Sequence, residues 1–269
     1  MIGIGIALAA VVITFLLKGV SPAILINLPS IFIVIVGSCG AVIASFGMAA
    51  FMKAPKLFML AGKAPKSDAV EVRHQLVAFA KKAREDGTLS LETAVEQVED
   101  QFLKQGLQMV IDGLEPETVE EVLQLEIEAL KRRHNPGHQL WALWAGYAPT
   151  FGILGAVMGL IAVMAHLSEP EKLGAGIQVA FIATLLAVGL ANIVFMPISV
   201  ALKGHTAVEV EEREMKLAGV LAIQAGDSWR VVAQKLDTFL SPAQRLEVAK
   251  GPAAKKATAA SGELAAEAI

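Results

Sequence analysis

Four long apolar stretches, at about residues 2–17, 30–52, 139–167 and 173–202, contain no aspartate and no glutamate. A carrier that moves an ion unaided ordinarily keeps a carboxylate or paired charges inside the membrane, so this absence argues against a stand-alone carrier. If something ionisable crosses here, a partner must supply the titrating group. The single cysteine, Cys39, excludes an intramolecular disulfide and reads as a small apolar filler. There is no Walker-type phosphate loop, no CxxC and no nucleophile motif, which excludes nucleotide hydrolysis and leaves no reason to expect an enzyme or a cofactor. No internal repeat and no strand-like alternation is visible.

What is present belongs to the bilayer. A hydrophobic fraction of 55%, a charged fraction of 18% and a mean hydropathy of +0.57 lie outside the usual soluble range. A span needs about 20 apolar residues, which the second, third and fourth stretches provide. The first is short and would thin the bilayer or let Lys18 snorkel. No Lys or Arg precedes it and no small-x-small site follows, so it reads as a span and not as a cleaved signal. Of the 23 Lys and Arg, 12 fall in residues 53–138 and 9 in 203–269, with Lys18 and Lys172 alone in the two short turns. Lys53, Lys56, Arg132 and Arg133 sit close to span ends, where the positive-inside rule applies best. The expected topology is a multi-pass bacterial inner-membrane protein with four spans and both termini cytoplasmic.

The expected fold class is an all-α membrane protein: four transmembrane helices, a large helical cytoplasmic domain between spans two and three, and a cytoplasmic C-terminal helix. In residues 53–138 an amphipathic run from Asp68 to Asp86 stops at Gly87, and Ser90 offers an N-cap for a new helix. A second run from Glu99 to Asp112 ends at Gly113. Glu115-Pro116-Glu117 opens a third, carried by Val119, Val122, Leu123, Ile127 and Leu130, with a break expected at Asn135-Pro136-Gly137. Residues 206–224 read as an extension of span four, and a short helix from Trp229 to Leu240 follows Gly226. The expected divisions are 1–52, 53–138, 139–205 and 206–245, with a disordered Ala/Lys/Glu tail over 246–269.

Several residues could carry chemistry. Pro149 in span three and Pro197 in span four each deprive a carbonyl, of Ala145 and Ile193, of its helical donor. Each is read either as a structural kink or as a hinge or carbonyl lining a water path. Gly152, Gly155 and Gly159 in span three, and Ala180, Ala183, Ala187 and Ala191 in span four, are small residues at spacings that let helix backbones approach. The Thr184 hydroxyl can bond its own backbone or face a pore. His134 and His138 have metal-pair spacing, but the expected break would misalign them. His166 reads as an interfacial histidine or a proton relay. Lys81, Lys82, Arg84, Glu85 and Asp86, with Glu92 beyond the turn, form either a solvated face or a docking surface for a charged partner.

LPSIFIVIVGSCGAVIASF in span two, LVAFAKKAREDGTLSLE in the loop, YAPTFGILGAVMGLI in span three and NIVFMPI in span four together resemble the motility protein A family, the ring-forming subunits of the bacterial flagellar stator. FLKQGLQMVIDG and LAIQAG match in style, and the resemblance runs over residues 1–245. It implies five copies around two copies of a single-span, peptidoglycan-anchored partner, motility protein B, whose membrane aspartate supplies the missing carboxylate. It implies that the loop pushes on the rotor switch protein FliG and that ion-motive force becomes torque for motility and chemotaxis. Pro149 and Pro197 match the family's functional prolines, Arg84 and Glu92 its charged rotor-contact pair, and Glu126 a further functional acid. Sodium-driven relatives carry threonine where Ala156 stands, whereas Thr184 matches a threonine common to both kinds. The resemblance therefore implies proton coupling, since a dehydrating cation needs the extra hard-oxygen ligand and a hopping proton does not. Asp227-Ser228-Trp229 departs from the usual Asn-Pro pair, and span one is short. The alternative is a related proton-energised complex of outer-membrane transport or phage defence, although the outer-membrane type has three spans with its large loop after the first.

Overall fold

In the computed structural model, residues 2–65, 67–165 and 170–250 are described, and all of their regular structure is helical. Helix α1 runs Ile2–Leu17, and a 3-10 turn, Pro22–Leu25, leads to span two. That span is built of α2 (Leu28–Ile31), a π segment (Phe32–Gly37) and α3 (Ser38–Phe46). The short α4 (Met48–Phe51) and α5 (Ala54–Ala61) follow, then α6 (Ala69–Asp86), α7 (Glu92–Glu96) and α8 (Gln101–Ile111). The 49-residue α9 extends from Pro116 to Met164. Beyond it come α10 (Pro170–Gly189), a second π segment (Leu190–Phe195) and α11 (Met196–Gln224), and the chain closes with α12 (Trp229–Asp237) and α13 (Pro242–Lys250). Three helical stretches are long and apolar enough to cross a membrane, within Leu28–Phe46, Pro116–Met164 and Gly176–Gln224, and Gly3–Leu17 is a shorter apolar helix.

The chain divides into two compact units. One comprises Met1–Pro65 and Arg132–Thr206, the other Lys66–Lys131 and Ala207–Ile269. The first contains the apolar stretches, and its core gathers Val42, Leu140, Trp141, Trp144, Ala148, Phe195 and Ile198. Helix α5 belongs to it, although residue 53 was the expected start of the cytoplasmic domain: Ala54 is buried in that core, and Leu57 and Ala61 pack against it. The second unit buries Leu76 and Leu91, then Leu103 and Leu107 of α8, Leu123 and Ile127 of α9, Met215 and Val220 of α11, and Leu236 of α12. Val119, Leu123, Ile127 and Leu130 recur at helical spacing on α9, which is why that face is inward.

Local boundaries follow the sequence at Gly87, Gly113, Pro116 and Gly226, and depart from it elsewhere. The apolar stretch 30–52 is not one helix. Gly47 has φ +78°, ψ 159°, a conformation that a side chain strains against, and it separates α3 from α4. Ser90 does not cap α7. It lies in a 3-10 turn, Thr88–Leu91, where its hydroxyl donates to the Gly87 carbonyl at 2.6 Å.

The expected break at Asn135-Pro136-Gly137 is also absent, and α9 passes through Pro136 unbroken. An interior proline costs about 3 kcal/mol, and here packing on both sides offsets it. Leu130 and Leu140 are buried, a Cβ placed on Gly137 would lie 3.4 Å from Leu57, and the His138 carbonyl accepts the Ser199 hydroxyl at 2.8 Å. At the other end α13 continues to Lys250, so residues 246–250 are helical, while the rest of the expected tail lies outside the described residues.

Burying a leucine side chain contributes about 1.5–3 kcal/mol, and removing one from a packed core costs about 2–5 kcal/mol. Leu123 is fully buried and Leu89 is 71% exposed. Thermal unfolding of the purified protein should therefore show a clearly lowered midpoint for Leu123→Ala and almost none for Leu89→Ala. Equal shifts would mean that the second unit is not packed as described.

Candidate ion pathway and cytoplasmic contact surface

Spans three and four meet through their smallest residues. A Cβ placed on Gly152 would lie 2.4 Å from Ala187 Cβ, one on Gly155 3.2 Å from Ala183 Cβ, and one on Gly159 3.1 Å from Ala180 Cβ. The glycines recur at i, i+3 and i+7 on α9 and the alanines at i, i+3 and i+7 on α10, so one face of each helix carries the whole seam. Between apolar helices in lipid, where no hydrophobic gain drives association, this close approach supplies the packing energy. Span two joins them in the same way. A Cβ on Gly37 would overlap the Phe151 ring at 2.5 Å, and the Trp144 indole N–H donates to Ser38 Oγ at 3.0 Å. Near the other end of span two Asn27 caps the helix, and Ser30 Oγ lies 2.9 Å from Asn27 Oδ1 and 3.3 Å from the Val179 carbonyl of α10.

The two prolines sit in different surroundings. Pro149 is half-buried within the continuous α9, and Thr150 beside it donates its hydroxyl to the Tyr147 carbonyl at 2.7 Å. Pro197, also half-buried, is the second residue of α11, one residue beyond the π segment Leu190–Phe195. A wider turn moves bonding from i−4 to i−5, which relieves both the missing donor and the ring clash of a proline. Sequence reasoning missed both π segments; the proline at 197 was the available signal for the second.

Ala156 is half-buried beside the packed Gly155. Thr184 is half-buried too, its hydroxyl 3.4 Å from the Ala180 carbonyl of its own helix. Its Cα lies 3.4 Å from the Cβ position of Gly152, so Thr184 touches span three at the seam. Because α9 is unbroken, His134 and His138 do share a helix face, contrary to the expected misalignment. The His134 ring nitrogen is 3.4 Å from Thr206 Oγ1, and no group of three metal-ligating side chains gathers among the described residues. His166 lies outside the described residues.

In the second unit Arg84 and Glu92 stand on either side of one turn, both exposed. Gly87 at φ +83° ends α6, and Leu91, fully buried, anchors the turn from below. The Arg84 guanidinium donates to the Gly226 carbonyl at 3.2 Å, and Lys81 pairs loosely with Glu85 at 4.0 Å. Glu126 is half-buried on α9, and among the described residues no hydrogen bond or ion pair joins it to Arg84 or Glu92. The unusual Asp227-Ser228-Trp229 forms a working helix start: Ser228 caps α12, and Asp227 pairs with Lys235 at 2.7 Å.

The same unit holds an ionic node that the sequence did not announce. Lys216, with a side chain only 5% exposed, donates to Asp100 at 2.8 Å and to Glu212 at 2.6 Å. Asp100 also caps α8 by accepting the Leu103 N–H at 2.8 Å. Burial pushes the Asp100 carboxyl up, but the hydrogen bonds from Lys216 and Leu103, together with the Lys216 and Arg213 charges, outweigh it and hold the carboxyl below its ordinary range.

Compared with known proteins, the chain matches the MotA/TolQ/ExbB proton channel family over residues 94–215. It is 37% identical over 251 residues to motility protein A of Bacillus subtilis, covering 93% of each chain. It is 35% identical over 247 residues to motility protein A of Borreliella burgdorferi, covering 92% of this chain and 95% of that one. Its fold superposes on the flagellar MotAB stator complex from Bacillus subtilis with a TM-score of 0.83 at 37% identity, covering 91% of this chain and 97% of that chain. It superposes equally, at 0.83 and 29% identity, on C. jejuni MotAB, covering 90% and 94%. The family match, together with three helices long and apolar enough to cross a membrane, defines a multi-pass inner-membrane protein of the proton-channel class. Within that class the chain belongs to the motility protein A family, the stator subunits of the flagellar motor.

The depressed Asp100 carboxyl stabilises the folded state above its unfolded value, and that contribution is lost as pH falls through the folded value. Asp100→Asn should be less stable than the parent at pH 7, and the gap should narrow as pH falls below the ordinary aspartate range. Thermal melts across that range measure it; a gap independent of pH would remove the ionic node from the account.

Proposed function

We propose that five copies of this chain surround two copies of a single-span partner, and that protons passing a carboxylate on the partner turn the ring and push the rotor. Four apolar stretches free of Asp and Glu carry the reading, because spans three and four then offer proline-bearing backbone and close packing but no carboxylate. A motility protein B-like protein fits that need, and the similar solved structures are MotAB complexes. Four spans with both termini cytoplasmic place residues 53–138 and the C-terminal helices on the rotor side, as the 12 and 9 basic residues of those segments favour.

Each residue then has a role. Pro149 and Pro197 shape the helices that line the ion pathway, and Thr184 at the seam contributes a hydroxyl there. Ala156, lacking an oxygen, favours a proton over a sodium ion. Arg84 and Glu92 meet charged groups of the rotor switch protein, where exposed charges set specificity and on-rate. Glu126 contributes a further acid.

Complementing a deletion strain with Pro149→Ala, Pro197→Ala or Arg84→Glu should abolish or sharply slow swimming while the protein still accumulates in the membrane. Parent cells should slow when a protonophore is added and be indifferent to sodium. Undiminished swimming by all three variants would overturn the residue roles, and sodium dependence with protonophore resistance would overturn proton coupling.

A further inference from the structure

A cavity of about 320 Å³ opens in the membrane unit, between Gly3, Ile4 and Ala7 on α1, Ala61 on α5, and Pro197 and Ala201 on α11. No wall residue is ionisable. The one side-chain amide there, Asn192, donates to the Val188 carbonyl of its own helix at 3.0 Å. Gly3 leaves its side open, with nothing within 4 Å of where a Cβ would stand.

In the sequence flanking the α5 and α11 walls the charges are all of one sign. Lys53, Lys56 and Lys63 are exposed before, within and just beyond α5, and exposed Lys203 lies two residues past Ala201. No acid occurs before Asp68 or between Lys172 and Glu209. The segment is also held in place: His205 Nε2 lies 2.9 Å from the Lys63 carbonyl, pinning the end of α5 beside α11. Helix α5 turns Ala54, Leu57 and Ala61 inward and leaves Phe58, Met59 and Leu60 exposed, the arrangement of a helix lying in the membrane interface.

We propose that this groove binds an anionic phospholipid, with an acyl chain in the cavity and the phosphate among the lysines. A basic rim beside an apolar groove at a span end selects headgroup charge, while the groove itself selects only a hydrocarbon chain. The site touches α1, α5 and Pro197 together, so an occupying lipid tethers the short first helix to the start of α11. The proposal needs the membrane reading but not the rotor function, and its test does not use motility.

The full chain, purified in a non-ionic detergent, is mixed with phosphatidylglycerol or phosphatidylcholine and examined by native mass spectrometry. Phosphatidylglycerol should be retained at least about tenfold better than phosphatidylcholine, a difference of the size that a few interfacial lysines supply. Replacing Lys53, Lys56 and Lys63 together by Gln should erase the preference. Ala61→Trp and Ala7→Phe, which fill the groove from opposite walls and leave the lysines, should each lose the retained lipid. Equal retention of the two lipids by the parent would overturn the proposal, as would a preference that survives both groove-filling variants. A parent that holds no lipid, together with groove-filling variants that change the number of chains per assembly, would instead make the groove a subunit interface and also overturn it.

Discussion

Everything in the membrane unit depends on how closely α9 and α10 approach. Gly152, Gly155 and Gly159 lie against Ala187, Ala183 and Ala180, with no room for a single added methyl at the tightest point. Hydrocarbon surroundings give two apolar helices little reason to associate except contact itself, so the seam is specific because it is tight. It also sets Thr184 against span three. A bulky or charged residue in the seam would separate the helices, which gives a packing reason for the absence of carboxylates on that face. In the proposed function the carboxylate that an ion pathway needs comes from outside this chain.

The second unit is organised by one face of α11. Lys216, Val220 and Gln224 recur at i, i+4 and i+8. Lys216 holds Asp100 at the start of α8, and Val220 packs over Gly106 in its middle, 3.1 Å from where a Cβ would stand. Gln224 donates to the Leu114 carbonyl at 2.6 Å just beyond its end. Helix α8 is therefore gripped along its length by the helix that begins at Met196. The Arg73 guanidinium does similar work between α6 and α12, reaching Asp237 at 2.6 Å and 3.3 Å. Breaking such partly buried pairs by removing one member costs more than the pair contributes, because the remaining charge is left without its partner.

Much of this was legible in the residues because the signals were local. Gly87, Gly113, Pro116 and Gly226 act within one helical turn, and the small-residue pattern of spans three and four reads directly as a packing face. Failures occurred where tertiary contacts outweighed a local rule. Pro136-Gly137 looks like a helix end, but buried leucines on either side and the Ser199 hydroxyl keep α9 running. Gly47 looks like one more apolar residue, yet its positive φ splits the second stretch. The π segments and the buried Lys216 node leave almost no trace in sequence, since one is a change of hydrogen-bond register and the other joins positions more than a hundred residues apart. Of the candidate site residues, the structure brings Thr184 to the Gly152 seam and sets Arg84 and Glu92 around one turn, while Glu126 lies half-buried on α9.

The central claim is that this chain builds the wall of an ion pathway and lacks the group that titrates in it. Proton flux into liposomes, driven by an imposed potential, measures this directly, with the purified chain reconstituted alone and together with its single-span partner. The chain alone should leave the membrane no leakier than empty vesicles, and flux should appear only with a partner whose membrane carboxylate is intact. Sustained flux through the chain alone would contradict the account.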